Sequence, residues 1–148
     1  MADRSFFVTN YIKTAQELLS EVILTGIKGR VGHALNLNEE GLTSLLLNLG
    51  PSQNVFLVGN GGSAGIASIV ANRLWKFCGI KGRTLNDPVV MSCAGNDYCW
   101  DNVFSEPLKI YGQRGDVLVA ISSSGKSENI LNAISTARAL NFAHITTL

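Results

Sequence analysis

Two short loops rich in glycine, serine and asparagine carry the residues whose types and spacing suit binding chemistry. The first spans residues 59–63 (GNGGS) and follows the apolar run VFLV at residues 55–58. The second spans residues 122–127 (SSSGKS) and follows DVLVAI at residues 116–121. Glycine lets the backbone turn tightly, and a helix that begins after such a loop directs its unpaired N–H groups at an anion. The pattern therefore predicts an anion site at these loops.

The second loop adds hydroxyl groups that can rotate to donate to the oxygens of a phosphate. They belong to Ser122, Ser123, Ser124 and Ser127. Each charge-assisted hydrogen bond of this kind contributes about 1.5–3 kcal/mol before ordering costs. One serine at a strand-to-helix junction is explained as a helix cap, but four within a single short loop favour phosphate binding. Lys126 lies inside the loop and could add a full positive charge.

The elements that must position these loops predict an α/β fold. Helical spacing follows each loop, over residues 64–77 and over a segment ending near Asn141. A weaker strand is predicted at 82–86, helical turns at 88–93 and 103–111, and a further strand at 144–148. Strand, turn and helix alternate as in a parallel sheet with helices on both faces, whose ligands bind at the carboxyl ends of the strands. Both loops are expected at that edge.

The last strand is expected to lie in the interior of the sheet. Three explanations for its position at the end of the chain stay open: a truncated version of a longer protein, an omitted disordered tail, or a partner that completes the sheet.

Residues 1–50 are predicted to be helical and to pack in an oligomer, and residues 51–148 to form the binding domain. Apolar side chains recur at helical spacing at Phe7, Tyr11, Leu18 and Val22, and a second helical stretch spans residues 38–49. The chain is 46% hydrophobic and 16% charged. Such a surplus of apolar surface suggests burial against other subunits, so a homo-oligomer, dimer or tetramer, is expected.

Composition also argues against several classes of protein. The net charge of +1 is too small for a nucleic-acid-binding protein. No apolar run reaches the ~18–20 residues needed to span a bilayer, and no signal peptide is evident. Cys78, Cys93 and Cys99 form no CxxC pair, so they are expected to be reduced thiols that pack as small hydrophobes. A cytoplasmic protein is expected.

A dinucleotide site is a competing interpretation of the first loop. Gly59, Gly61 and Ala64 match the fingerprint G-x-G-x-x-G/A after a strand. The acidic residue expected about twenty positions later is not clearly present, since Asp87 lies too far along the chain. NAD binding is therefore the less favoured prediction.

The two loops, together with AGND at residues 94–97 and GDVL at residues 115–118, resemble SIS (sugar isomerase) domains. Their order and spacing are similar to those of phosphoheptose isomerases, which convert sedoheptulose 7-phosphate to D-glycero-D-manno-heptose 7-phosphate for lipopolysaccharide or capsule. The resemblance implies a three-layer sheet of flavodoxin-type nucleotide-binding topology and a homotetramer. It also implies a phosphate held by Ser122, Ser123, Ser124 and Ser127. It implies further substrate contacts from Asn60, Gly61, Gly62, Ser63, Asn96 and Asp97.

Two positions depart from the pattern of that family. Ile69 stands at the position of its zinc-binding histidine, and Arg73 stands at that of its catalytic glutamate. Isoleucine has no metal donor, and arginine stays protonated and cannot act as a base. No zinc or other cofactor is therefore expected, and no catalytic residue is assigned. Asp97 is expected to orient a loop or a hydroxyl, with catalysis as the alternative.

Two functions stay open on these grounds. The leading one is a sugar-phosphate-binding protein of the phosphoheptose isomerase type, with the isomerisation implied by the resemblance. The other is a non-catalytic phosphosugar sensor or protein-binding regulator.

Overall fold

Six strands form one mixed sheet in the computed structural model, which describes residues 25–27, 34–36 and 52–148. The strands are β1 Thr25–Ile27, β2 Ala34–Asn36, β3 Asn54–Gly59, β4 Lys81–Thr84, β5 Val117–Ile121 and β6 His144–Thr147. The helices are α1 Gly61–Cys78, α2 Pro88–Asp97, α3 Ser105–Tyr111 and α4 Glu128–Ala139, with a short 3-10 helix at Trp100–Asn102. Within these residues, no helix is both long and apolar enough to cross a membrane.

Four strands are mutually parallel and lie in the order β4-β3-β5-β6. Numbered along the chain, that order is 2-1-3-4, which is the flavodoxin-type arrangement. The predicted fold class is therefore confirmed. The strand order reverses between β3 and β5, and ligands of such sheets bind at this switch point, outside the carboxyl ends of the strands.

Helices cover both faces of the parallel strands and complete three layers. On one face, Ala67, Ala71 and Leu74 of α1 pack against Val55 and Val117 of the sheet. Helices α3 and α4 pack on the other face. The buried side chains of the core on this face include Phe56, Val58, Phe104, Leu108, Leu118, Ile130, Ala133 and Ala137. Strand β3, which lies between β4 and β5, is buried along its whole length, as its unbroken apolar run predicts.

Strands β1 and β2 were not predicted from the sequence. They lie within residues 1–50, for which a helical segment is expected, and the structure differs from that expectation at these six positions. β1 pairs antiparallel with β6 and with β2. Strands of three residues are too short to show an alternating pattern, so β1 is determined by its pairing with the distant β6, and β2 by its pairing with β1. The two predicted helical stretches lie outside the described residues.

Strand β6 lies between β5 and β1, with hydrogen-bonded neighbours on both sides. The prediction of an interior strand at residues 144–148 is therefore confirmed.

Candidate functional site

The two loops begin side by side at the switch point of the sheet. Gly59, the last residue of β3, pairs with Ile121, the last residue of β5. Asn60 and Ser122 directly follow these two residues, so the two loops begin next to each other at the same edge of the sheet. The register of the sheet thus brings together the two loops for which the sequence predicts an anion site.

The first loop presents the uncapped start of α1. The backbone carbonyl of Asn60 accepts hydrogen bonds from the N–H groups of Ser63 (2.9 Å) and Ala64 (3.3 Å), but the Asn60 side chain makes no capping bond. Gly61 and Gly62 donate no backbone hydrogen bond to any residue that the structure describes. Gly61 has φ +52°, a conformation that glycine adopts without a steric penalty. Two N–H groups at the positive end of the helix dipole are therefore available to a ligand.

The second loop is shaped by two of its own serines. Ser122 Oγ accepts a hydrogen bond from the Gly125 N–H, and Ser124 Oγ accepts one from the Lys126 N–H, both at 3.2 Å. A hydroxyl that accepts such a bond keeps its own proton for donation. Ser123 makes no side-chain hydrogen bond within the described part of the chain, and Ser127 caps α4 only through its backbone carbonyl. All four hydroxyls therefore keep a donor for an anion.

A reciprocal pair of side-chain amides joins the two loops. Asn60 Nδ2 donates to Asn129 Oδ1 at 2.9 Å, and Asn129 Nδ2 donates to Asn60 Oδ1 at 2.9 Å. Asn129 lies on the first turn of α4 and is 2% exposed. Sequence reasoning missed this residue, because nothing local distinguishes an asparagine near a helix start from a surface side chain.

Asn96 and Asp97 lie at the end of α2, where both side chains are exposed. Asn96 Nδ2 donates to Asp97 Oδ1 at 2.8 Å. Within the described residues, no hydrogen bond connects either side chain to the two loops. Their contact with a substrate therefore stays a prediction.

The cysteines differ from the sequence-based expectation. Cys78, Cys93 and Cys99 are free thiols, but all three are exposed, so the expectation that they pack as small hydrophobes is wrong. Cys93 lies one helical turn before Asp97, and its Sγ is 3.6 Å from Asp97 Oδ2. The hydrogen bond to this carboxylate, together with its negative charge, raises the pKa of the Cys93 thiol.

Asp97→Asn is expected to accelerate alkylation of Cys93 by iodoacetamide at about pH 8. Loss of the carboxylate lowers the pKa of Cys93, and the thiolate is the reactive form. Mass spectrometry of timed digests measures the rate at each cysteine separately. Cys78 and Cys99 serve as internal controls and should react at unchanged rates. An unchanged or slower alkylation rate at Cys93, with unchanged rates at the two controls, would contradict the contact between the Cys93 thiol and the Asp97 carboxylate.

The outer face of α1 carries the two residues at which the sequence departs from the phosphoheptose isomerase pattern. Ile69 is 58% exposed and Arg73 is also exposed. With Ser68, Asn72, Lys76 and Phe77 they line an open depression of about 470 Å³. This face does not fit a zinc ion, because an isoleucine side chain has no lone pair and a guanidinium is a cation. Within the described ranges, no group of three or more His, Cys, Asp or Glu side chains is placed so that it could hold a metal ion.

A flavodoxin-type sheet with two N–H-rich loops at its switch point defines an α/β protein with a candidate site for a small anionic ligand. A family model described as "SIS domain" matches residues 10–146 of the chain. The chain therefore belongs to the SIS domain family, and within it the chain is of the phosphoheptose isomerase type.

Similar proteins carry that name in several bacteria. The phosphoheptose isomerase of Tolumonas auensis is 35% identical over 134 residues, which are 84% of this chain and 70% of the relative. That of Sulfurimonas denitrificans is 39% identical over 92 residues, which are 58% of this chain and 47% of the relative. The chain thus spans from about half to 70% of the length of these relatives.

Two solved structures are similar in fold. A phosphoheptose isomerase from Neisseria gonorrhoeae aligns with a TM-score of 0.66 and 27% identity, over 93% of this chain and 68% of the other. One from Francisella tularensis aligns with a TM-score of 0.69 over 95% of this chain and 72% of the other. At 21% identity, the second comparison supports the fold alone.

Proposed function

We propose that this protein binds a sugar phosphate at the switch point between β3 and β5. The phosphate is held by residues 122–127, and the sugar extends toward Asn60 and residues 61–63. One observation carries the proposal: two helices with uncapped first turns begin at the same sheet edge, beside four serine hydroxyls. Donors arranged in this way are suited to the oxygens of a phosphate, and Lys126 contributes the only full charge within the loop.

Sedoheptulose 7-phosphate is the first candidate ligand, because the similar proteins are named phosphoheptose isomerases. In that role the protein would act in the cytoplasm, in the heptose branch of surface polysaccharide synthesis. A homo-oligomer is part of the same proposal. It is supported by large apolar side chains that are exposed on the outer face of α1, namely Ile66, Ile69, Val70 and Phe77.

The chemistry after binding separates two candidate functions. Aldose–ketose isomerisation needs a base that moves a proton between adjacent carbons. The relatives' name favours that reaction, whereas Ile69 and Arg73 on the exposed face of α1 favour a non-catalytic phosphosugar sensor or protein-binding regulator. The direct test is incubation of the protein with sedoheptulose 7-phosphate, with and without added zinc, while product is followed by mass spectrometry. Turnover at enzymatic rates would overturn the sensor, and binding without turnover would overturn the isomerase.

Saturating sedoheptulose 7-phosphate is expected to raise the melting temperature of the protein by about 5–10 °C, as binding at about a hundred times Kd stabilises a domain of this size. Ser124→Ala should require about tenfold more ligand for the same shift, since one donor to the phosphate is lost. Differential scanning fluorimetry over a ligand series measures both effects. Ser135→Ala, an exposed serine further along α4, is the matched control. The phosphate assignment is wrong if no phosphosugar shifts the melting curve and Ser124→Ala changes nothing.

A further inference from the structure

We propose that Asn129 is a positioning residue, which holds the side chain of Asn60 and thereby fixes the first loop relative to the second in the ligand-binding arrangement. The inference rests on the proposed function, since it explains how two loops from separate strands form one sugar phosphate site.

The geometry of the pair is specific to this role. Asn60 and Asn129 exchange two hydrogen bonds of 2.9 Å each across 69 residues of chain. No other side-chain hydrogen bond between described residues joins residues 59–63 to residues 122–129. Asn129 is 2% exposed, and leaving a buried amide unpaired is costly. Burial of Asn129 therefore favours the one orientation of Asn60 that satisfies both amides.

This contact also explains why the start of α1 is uncapped. An asparagine at the N-cap normally accepts a hydrogen bond from the first turn of its own helix. Here the Asn60 side chain is directed to Asn129 and makes no such bond. The N–H of Gly62 therefore stays available to a ligand, together with that of Gly61, which an N-cap side chain does not normally bind. An amide group has two N–H donors and two acceptor lone pairs. Since the contact uses one of each, Asn60 keeps one donor and one acceptor for a sugar hydroxyl.

Asn129 itself follows Ser127 by two residues on the same first turn of α4. Movement of this turn would therefore displace both a phosphate donor and the residue that orients the first loop. Inorganic phosphate needs the second loop alone, whereas a sugar phosphate needs both loops in register. A positioning role thus predicts a loss of affinity that depends on the ligand, which a general loss of stability would not produce.

Calorimetric titration of the wild type and Asn129→Ala with sedoheptulose 7-phosphate and with inorganic phosphate tests the proposal. Asn129→Ala is expected to weaken sugar phosphate binding about tenfold, a typical coupling between contacting residues, and to change phosphate affinity less than about twofold. Asn132→Ala is the matched control: Asn132 lies one turn further along α4 and donates to the Asp101 carbonyl at 3.0 Å, away from both loops. The Asn132→Ala protein should bind both sedoheptulose 7-phosphate and inorganic phosphate with the affinities of the wild type.

A double-mutant cycle provides the second criterion. In the Asn60→Ala background, Asn129→Ala should cause no further loss of sugar phosphate affinity, because its effect passes through Asn60. If Asn129→Ala does not fold, Asn129→Leu, which has the same number and branching of side-chain heavy atoms but no polar group, replaces it under the same criteria. Equal sugar phosphate affinity in the wild type and a folded Asn129 variant would overturn the positioning role alone. A wild type that binds no sugar phosphate would overturn the proposed function and the inference with it.

Discussion

Gly59→Ala is expected to destabilise the protein by about 3 kcal/mol, at the upper end of the range for overpacking a dense core. A methyl group at this position would lie 2.7 Å from the backbone carbonyl carbon of Ser63 and 2.8 Å from its oxygen. Both atoms belong to the first turn of α1, so the clash cannot be relieved by rotating a side chain. The helix start must move away from β3.

Ligand binding should fail in the same variant. Gly59 directly precedes Asn60, so any shift of α1 displaces the N–H groups of the first loop. Urea unfolding monitored by circular dichroism measures the stability loss, and fluorimetry with sedoheptulose 7-phosphate measures the loss of binding. Gly65→Ala is the matched control, since a methyl group there meets nothing within 4 Å. That substitution should stabilise the helix interior by about 0.5–1 kcal/mol. A Gly59→Ala protein as stable as the wild type would contradict the close packing of β3 on α1.

Asp116→Ala is expected to destabilise the protein by about 3 kcal/mol, because several buried donors lose their acceptor together. The Asp116 side chain is fully buried. Oδ1 accepts the N–H of Asn54 at 2.7 Å, Oδ2 accepts the N–H of Gln113 at 2.9 Å, and the Asn54 side-chain amide donates to both at 3.3 Å. These bonds connect the starts of β3 and β5, at the edge of the sheet opposite the two loops.

Asp116→Ala differs from Gly59→Ala because it lies at the edge of the sheet opposite the two loops. Asp116→Ala should lower the denaturation midpoint while the folded fraction still binds sugar phosphate with the affinity of the wild type. Asp101→Ala, an exposed aspartate on the 3-10 helix, is the control and should change stability by less than about 0.5 kcal/mol. Urea unfolding combined with titration below the midpoint measures both quantities. A stable Asp116→Ala protein would show that its carboxylate is not needed to join these strands.

Much of the parallel sheet could be predicted because its signals are local. The apolar run at residues 55–58 and the run at 116–121 each indicate a buried strand, and a loop with helical spacing follows each one. The structure places β3, β5, α1 and α4 at these segments. The weaker strand predicted at residues 82–86 is found one or two residues earlier, as β4. Its exposed, polar side chains provide little pattern from which to set its limits.

Features set by distant partners could not be predicted from the sequence. β1 is determined by pairing with β6, which lies more than a hundred residues later in the chain. Asn129 becomes part of the candidate site only because the sheet register places α4 beside Asn60. The exposure of Cys93 follows from the packing of α2 against the 3-10 helix and α3, since the apolar character of cysteine alone favours burial. Local patterns thus located both loops, but not the contact between them.

Calorimetric titration with sedoheptulose 7-phosphate, compared with unphosphorylated sedoheptulose, tests the central claim most directly. The paired variant Ser123→Ala/Ser127→Ala removes the two hydroxyls that take no side-chain part in shaping the second loop within the described residues. The wild type should bind only the phosphorylated sugar, and the variant should bind it at least about a hundredfold more weakly, since two charge-assisted hydrogen bonds are lost. Equal affinity of the wild type for the two sugars, or of the wild type and the variant for the phosphorylated one, would contradict a phosphate site at residues 122–127.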